Sequence, residues 1–198
     1  MKKYTHLILH GSYGSDTGNW TPWLNHTLEA EGHSVLAPQF PVDDWELAQE
    51  QGKNFVPTKQ TLSNWLRTFE EILPLLDTTS LTVYAHSSAP LFILHVLSKY
   101  PEFVIKEAYF VAPFLGKIGD NWPIEKVNES FYAPESFNYE VLSNQIKNSV
   151  VLYSNNDPYV AENYSIEFAK KINATLILVP NAGHFNTEAG ITKLPEVL

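Results

Sequence analysis

Serine, aspartate and histidine are residue types that can act together in nucleophilic catalysis. In this sequence Ser87, Asp157 and His184 each follow a short apolar run. A serine hydroxyl is a weak nucleophile at neutral pH, so a histidine must accept its proton during attack and return it to the leaving group. An aspartate that accepts the other imidazole N–H fixes the tautomer and stabilises the imidazolium. We therefore expect Ser87 to be the nucleophile, His184 the general base and acid, and Asp157 the residue that orients the histidine.

The serine lies in A-H-S-S-A at residues 85–89, between a β-branched and aromatic run at 81–85 and an apolar run at 89–97. These runs predict a buried strand that turns directly into a helix. A serine at such a turn projects its hydroxyl beyond the sheet edge, in front of the free N–H groups of the helix N-terminus. The positions two before and two after it must be small. This favours Ser87, because a frame centred on Ser88 places histidine and proline there.

The usual form of this turn, G-x-S-x-G, has glycine where this sequence has Ala85 and Ala89. The extra methyl groups tighten the turn at a cost of about 1 kcal/mol per site. Each candidate also has a structural alternative. Ser87 would cap a helix after a core strand, Asp157 would be a turn residue or a helix N-cap, and His184 would be a surface histidine.

The oxyanion of an acyl-transfer intermediate needs preorganised N–H donors. The first expected donor is the N–H of Ser88, at the start of the helix. The second comes from the loop His10-Gly11-Ser12, which follows a predicted strand at residues 4–9. Ser12 is the expected donor there, with Tyr13 as the alternative.

Alternating strand and helix patterns run from one end of the sequence to the other without a linker or a repeat. They predict an α/β fold in one domain, residues 1–198, with a three-layer α/β/α sandwich and a mainly parallel sheet of about six strands. The predicted strands are 4–9, 34–37, 81–85, 105–111, 149–153 and 175–179, and the predicted helices include 20–28, 62–76, 89–97, 139–146 and 159–172. Residues 39–59 are predicted to be mostly loop with a turn of helix, and 113–138 irregular. Ligand sites of such sheets lie at the carboxyl ends of the strands, where all three candidates fall.

Composition narrows the function further. A net charge of −9 and the absence of a basic stripe disfavour nucleic acid and anionic membranes as partners. No apolar window is long enough to span a membrane, and zero cysteines fit a cytoplasmic location. No P-loop, dinucleotide or H-E-x-x-H motif is present, so we expect no cofactor and no metal.

The sequence contains six histidines besides His184. We interpret all six as structural or solvent-facing: His6, His10, His26, His33, His86 and His95.

With these residues in view, the sequence resembles the α/β-hydrolase superfamily, and more narrowly the small serine hydrolases related to retinoblastoma-binding protein 9. The resemblance covers nearly the whole chain and is carried by four segments: His10-Gly11 with Trp20 and Trp23, residues 85–88, residues 156–160, and Gly183-His184-Phe185. It implies Ser87, Asp157 and His184 as catalytic residues. It also implies hydrolysis of a carboxylic ester or related acyl bond.

Aromatic residues near the predicted site form a candidate acyl pocket for a small, short-chain or aromatic group: Tyr13, Trp20, Phe114 and Phe185. The alternative is that these rings are ordinary core residues. Two rival functions also remain open. The chain could be a non-catalytic module that binds a protein partner on a hydrolase scaffold, or an acyltransferase that uses an acceptor other than water.

Overall fold

A computed structural model describes residues 3–120 and 122–198. The strands are β1 (His6–Leu9), β2 (Val35–Leu36), β3 (Thr82–His86), β4 (Ile105–Val111), β5 (Ile146–Tyr153) and β6 (Thr175–Leu178). The α-helices of these residues are α1 (Thr21–Ala30), α2 (Trp45–Gln51), α3 (Leu62–Ile72), α4 (Ala89–Lys99), α5 (Ile124–Asn128), α6 (Tyr139–Asn144) and α7 (Glu162–Ile172).

All six strands belong to one parallel sheet in the order β2-β1-β3-β4-β5-β6. The register pairs His86 with Val111, Val111 with Leu152, and Leu152 with Ile177. The carboxyl ends of β3, β4, β5 and β6 therefore lie side by side at one edge of the sheet. The loops that follow β3, β5 and β6, which carry the three candidate residues, start from neighbouring positions.

Helices α3, α4, α6 and α7 cover one face of the sheet and bury its main apolar cluster. Strand β3 and all but one residue of its following helix up to Leu97 are buried, as expected for a central parallel strand and the helix packed on it. On α3, Trp65 and Phe69 lie one turn apart and face this cluster, and the Thr61 side chain caps the helix by accepting from Asn64 N–H at 3.3 Å.

The opposite face is covered by α1 and by the segment after β6. Trp20, Leu24 and Leu28 pack from the α1 side, and Phe185 and Val197 pack from the C-terminal side. The three-layer α/β/α fold with a six-stranded parallel sheet is thus confirmed. None of the helices in the described ranges is long and apolar enough to cross a membrane.

Two stretches contain more helix than the sequence pattern predicts. Residues 39–59 include α2, whose first turn is capped by Asp44, since its carboxylate accepts from Leu47 N–H at 2.8 Å. A 3₁₀ turn follows at Gly52–Asn54, so the prediction of one helical turn in a loop underestimates the helix in this stretch. The apolar pattern there is too short to show a helical period. Residues 113–138 contain α5 and a 3₁₀ turn at Glu129–Phe131, in an otherwise irregular segment.

Candidate active site

Ser87 occupies the sharp turn between β3 and α4 with a positive φ of 61°. This conformation is uncommon for a residue with a side chain and is typical of strained functional turns. Its N–H donates to the Val111 carbonyl at 2.8 Å, which ties the turn to the neighbouring strand. Ala85 and Ala89 on either side are both fully buried, so small side chains fill the two crowded positions.

The three predicted catalytic side chains form one hydrogen-bonded chain. Ser87 Oγ lies 3.1 Å from His184 Nε2, and His184 Nδ1 lies 2.8 Å from Asp157 Oδ2. A carboxylate at Nδ1 can only accept, so it favours the tautomer in which Nδ1 carries the proton and Nε2 offers its lone pair to the serine. Ser88 is fully buried, with an ordinary φ of −78°, so the frame centred on Ser87 is the one that reaches the histidine.

Asp157 is held by the backbone that follows it. Its Oδ1 accepts from the N–H groups of Tyr159 and Val160 at 2.8 and 3.0 Å, while Oδ2 faces His184. Its side chain is 1% exposed. The turn predicted as the structural alternative for this aspartate is therefore present, and the same turn fixes the orientation of the carboxylate toward the imidazole.

The loop after β5 also holds the loop that carries His184. Ser154 Oγ accepts from Ala182 N–H at 3.0 Å, and Asn156 Oδ1 accepts from Gly183 N–H at 2.8 Å. Gly183 has φ 54°, and a Cβ there would lie 2.5 Å from the Ala189 side chain, so glycine is required on both counts. These contacts set the position of the imidazole through its backbone.

The His86 side chain contacts the backbone and the ring of His184. Its Nε2 donates to the His184 carbonyl at 2.9 Å, and the two ring centroids are 4.9 Å apart. Burial lowers the pKa of His86 to about 3, with the nearby His184 as a smaller cause. His86 is therefore neutral at physiological pH and places no competing charge beside the imidazolium that His184 would form. Its interpretation as a structural histidine agrees with this position.

The loop after β1 approaches the serine closely. A Cβ on Gly11 would lie 2.6 Å from Ser87 Cβ and 3.3 Å from Ser87 Oγ, so only glycine allows this contact. His10 fixes the loop, since its Nε2 accepts from Phe40 N–H at 3.0 Å and its Nδ1–H donates to the Gly11 carbonyl at 2.8 Å. Burial lowers the pKa of His10, which keeps this tautomer neutral.

The backbone N–H groups of Ser12 and Ser88, close to the serine, have no acceptor among residues 3–120 and 122–198. The two residues are neighbours, with their hydroxyl oxygens 3.0 Å apart. Tyr13, the alternative donor, has φ 53° and gives its N–H to Gln60 Oε1 at 3.0 Å. The Tyr13 N–H is therefore already bonded, and the prediction of Tyr13 as the alternative oxyanion donor is corrected. Ser12 and Ser88 are the candidates for an oxyanion hole.

A buried polar network behind this loop was not predicted from the sequence. The Ser12 hydroxyl donates to Asn128 Oδ1 at 2.6 Å, and the Gln60 side-chain amide lies 3.5 Å from the same oxygen. Gln60 is held in turn by Asp43, whose buried carboxylate accepts from the N–H groups of residues 58–60. The network joins α5, in the irregular segment, to the candidate oxyanion loop. Its members are 116 and 68 residues apart, so no local sequence signal could reveal it.

The aromatic residues predicted to bind substrate are placed differently. Trp20, Phe114 and Phe185 are 1%, 0% and 0% exposed and belong to the apolar clusters on the two faces of the sheet. These rings contact other core side chains and present no surface to a substrate, which corrects the pocket prediction for them in favour of the core alternative. Tyr13 is half-buried against Trp45, at 5.0 Å between ring centroids.

Known proteins resemble this chain in sequence and in fold. The family model described as "Serine hydrolase" matches residues 6–198. YdeN of Bacillus subtilis (strain 168) is 26% identical over 190 residues, which cover 96% of this chain and 90% of YdeN. The crystal structure of the ydeN gene product superimposes with a TM-score of 0.79 at 25% identity, covering 98% of this chain and 95% of that chain.

More distant structures share the fold. Serine hydrolase CCSP0084 from Cycloclasticus zankles has a TM-score of 0.64 at 16% identity and covers 93% of this chain and 84% of its own. Est1E from Butyrivibrio proteoclasticus, in a structure with ferulic acid bound, has a TM-score of 0.62 at 17% identity and covers 94% and 83%. At these identities the likeness is one of fold alone.

Proposed function

Because the chain belongs to the serine hydrolase family, we propose that it hydrolyses a carboxylic ester or related acyl bond of a small substrate through an acyl-enzyme on Ser87. One observation carries this proposal: the continuous hydrogen-bonded chain from Ser87 Oγ through His184 to Asp157, at 3.1 and 2.8 Å. A histidine at this distance can act as general base toward the serine. The narrower relation to retinoblastoma-binding protein 9 stays a prediction.

The chemistry follows from the positions of the protons. His184 Nε2 takes the proton of Ser87 as Oγ attacks the acyl carbon, and Asp157 stabilises the resulting imidazolium. The carbonyl oxygen becomes an oxyanion, for which the Ser12 and Ser88 N–H groups are the donors. Collapse breaks the bond to the leaving group, which receives the proton from His184. Water then attacks the acyl-enzyme, with His184 again taking and returning one proton, so that acid and free Ser87 are released.

The small size of the substrate is supported by the enclosure of the site. Ser87 is 8% exposed and His184 is 9% exposed, so little of the reacting surface is open. We propose a short-chain or aromatic acyl group. Est1E, which shares the fold, has been seen with ferulic acid, an aromatic acid, and this supports testing aromatic acyl esters.

A graded panel of p-nitrophenyl esters, with acetyl, butyryl, octanoyl and aromatic acyl groups, tests the proposal. We expect the acetyl, butyryl or aromatic esters to be hydrolysed fastest, and hydrolysis to be lost in Ser87→Ala while Ser143→Ala, at a partly exposed helical serine, retains it. A preference for octanoyl esters would contradict the proposed acyl size. Hydrolysis that survives in Ser87→Ala would contradict the proposed nucleophile, and no hydrolysis of any ester would favour a binding module.

A further inference from the structure

Strand β6 is an exposed apolar edge. It is the last strand of the sheet and pairs only with β5, so its outer N–H and C=O groups face away from the sheet. All four of its residues are exposed, with Leu176 at 37%, Ile177 at 36% and Leu178 at 44%. In the described ranges nine large hydrophobic side chains are exposed, and three of them are consecutive here. This concentration marks β6 as an interaction surface.

The edge lacks the usual protection against pairing. Natural edge strands are shielded by charged side chains, bulges or proline, and residues 174–179 contain no charge and no proline. Val151 pairs with Leu176, so Leu176 and Leu178 lie on the sheet face covered by α7, while Ile177 lies on the other face. The apolar surface therefore wraps around the edge rather than lying on one side.

Helix α7 presents a charged stripe beside this edge. Its Lys171 Nζ lies 5.1 Å from the ring centroid of Tyr139 on α6. Helix α6 contacts both α4 and α7, so the Lys171 flank of α7 faces the centre of the sheet. The opposite flank of α7, at a spacing of four residues, carries Glu162, Ile166 and Lys170. Glu162 and Lys170 are exposed, and Ile166 is half-buried without belonging to either of the two sheet-face clusters.

The charges of this stripe are complementary to those of a second copy that is rotated by 180°. A two-fold axis near Ile166 places the two copies of α7 antiparallel, so that Glu162 of one copy meets Lys170 of the other and the two Ile166 side chains meet at the centre. The same kind of axis makes an antiparallel pair of two β6 strands, with Leu176 and Leu178 covered under the helices. One axis thus allows both the Glu162–Lys170 pairs and the pairing of the two β6 strands, so the occupant that fits this edge is a second copy of the chain.

We propose that the chain forms a two-fold symmetric dimer in which β6 pairs with β6 of a second copy and α7 packs against α7. The sheet then continues across the interface as twelve strands, and neither of the two paired edges stays open. The interface lies on the outer strand, beside the loop that carries His184 but separate from the catalytic chain of hydrogen bonds. The dimer is therefore independent of the proposed hydrolase activity.

Sedimentation equilibrium at micromolar concentrations in about 150 mM NaCl, where exposed charges are screened beyond about 8 Å, tests the dimer. The wild type is expected to sediment with twice the chain mass, and Leu176→Lys as a monomer, since it places two like charges at the apolar edge. Glu162→Lys and Lys170→Glu are each expected to weaken the dimer about tenfold or more, because symmetry turns two attractive pairs into repulsive ones. The double variant Glu162→Lys/Lys170→Glu should restore dimerisation to within about threefold of wild type.

Glu167→Lys is the matched control, because it makes the same charge change on the flank of α7 that faces α6 and should leave the dimer unchanged. Circular dichroism melts check that Leu176→Lys is folded. A wild type that is monomeric throughout would overturn the proposal. A dimer that persists in Leu176→Lys, or one that the double charge exchange fails to restore, would also overturn it, since association would then use another surface.

Discussion

The close contact between Gly11 and Ser87 gives the sharpest structural prediction. In Gly11→Ala the new methyl group would lie 2.6 Å from Ser87 Cβ and 3.0 Å from the His86 carbonyl oxygen. Carbon atoms in contact prefer separations of about 3.5 to 4.0 Å, so the loop and the serine must move apart by about 1 Å. The neighbouring Ser12 N–H moves with the loop.

The size of the effect follows from that displacement. Moving a catalytic group by about 1 Å lowers the rate on the order of 10²-fold. Loss of one oxyanion donor lowers kcat about 10²- to 10³-fold. We therefore expect kcat for aryl ester hydrolysis to fall about 10²-fold or more in Gly11→Ala, with a smaller change in KM. Overpacking of this kind also lowers the free energy of unfolding by about 1 to 3 kcal/mol. We expect Gly11→Ala to fold despite this loss.

Steady-state hydrolysis of a short-chain aryl ester, with a thermal melt of each variant, measures both effects. Gly116→Ala is the matched control, because a Cβ at Gly116 meets nothing within 4 Å, and its kcat should equal that of the wild type. If Gly11→Ala kept the wild-type kcat, the loop after β1 would not be pressed against the nucleophile during catalysis, and the assignment of Ser12 as an oxyanion donor would be refuted.

Three further predictions concern the groups around the site. Asp157→Asn should lower kcat by about 10³- to 10⁴-fold, because an amide NH₂ facing His184 Nδ1 favours the tautomer that cannot accept from Ser87; ester turnover measures it. Asn128→Ala removes the acceptor of the Ser12 hydroxyl and should lower kcat about five- to tenfold in the same assay. His86, whose folded pKa is about 3, contributes stability that is fully present above about pH 6.5 and is lost as the pH falls toward its folded pKa. Urea unfolding from about pH 8 to about pH 5 should therefore show a loss of about 2 kcal/mol from this group.

Matched control variants test the predictions for Asn128 and His86. Asn144→Ala, at an exposed helix end, should keep wild-type turnover, and equal losses in Asn128→Ala and Asn144→Ala would contradict the network. His86→Gln should flatten the pH dependence of unfolding while His26→Gln, at an exposed histidine, should not. Wild-type turnover in Asp157→Asn would mean that another acid orients His184.

The parts of the fold that the sequence predicted are those fixed by local pattern. The strand before Ser87 and the helix after it are buried at nearly every position, so continuous apolar runs describe them well. The positions of Asp157 and His184 follow from parallel topology, because strands that run the same way bring their carboxyl ends to one edge. The sequence also predicted that only small side chains fit at positions 85 and 89, and both alanines are fully buried there.

The remaining features depend on contacts that sequence spacing does not encode. Asn128 meets Ser12 across 116 residues, through an irregular segment in which no periodicity predicts the register. The rings of Trp20 and Phe185 could equally have lined a cavity or filled a core, since composition does not distinguish the two, and tertiary packing buries both. Only one turn of helix was predicted where α2 lies, because seven residues are too few for a clear period.

The most direct test of the central claim is covalent labelling of the folded chain with a fluorophosphonate, followed by peptide mass spectrometry. We predict a single phosphonyl adduct on Ser87 in the wild type, and almost none in His184→Ala under the same exposure, because the hydroxyl reacts only when the imidazole takes its proton. An unlabelled wild type, an adduct on Ser88, or equal labelling without His184 would contradict the account.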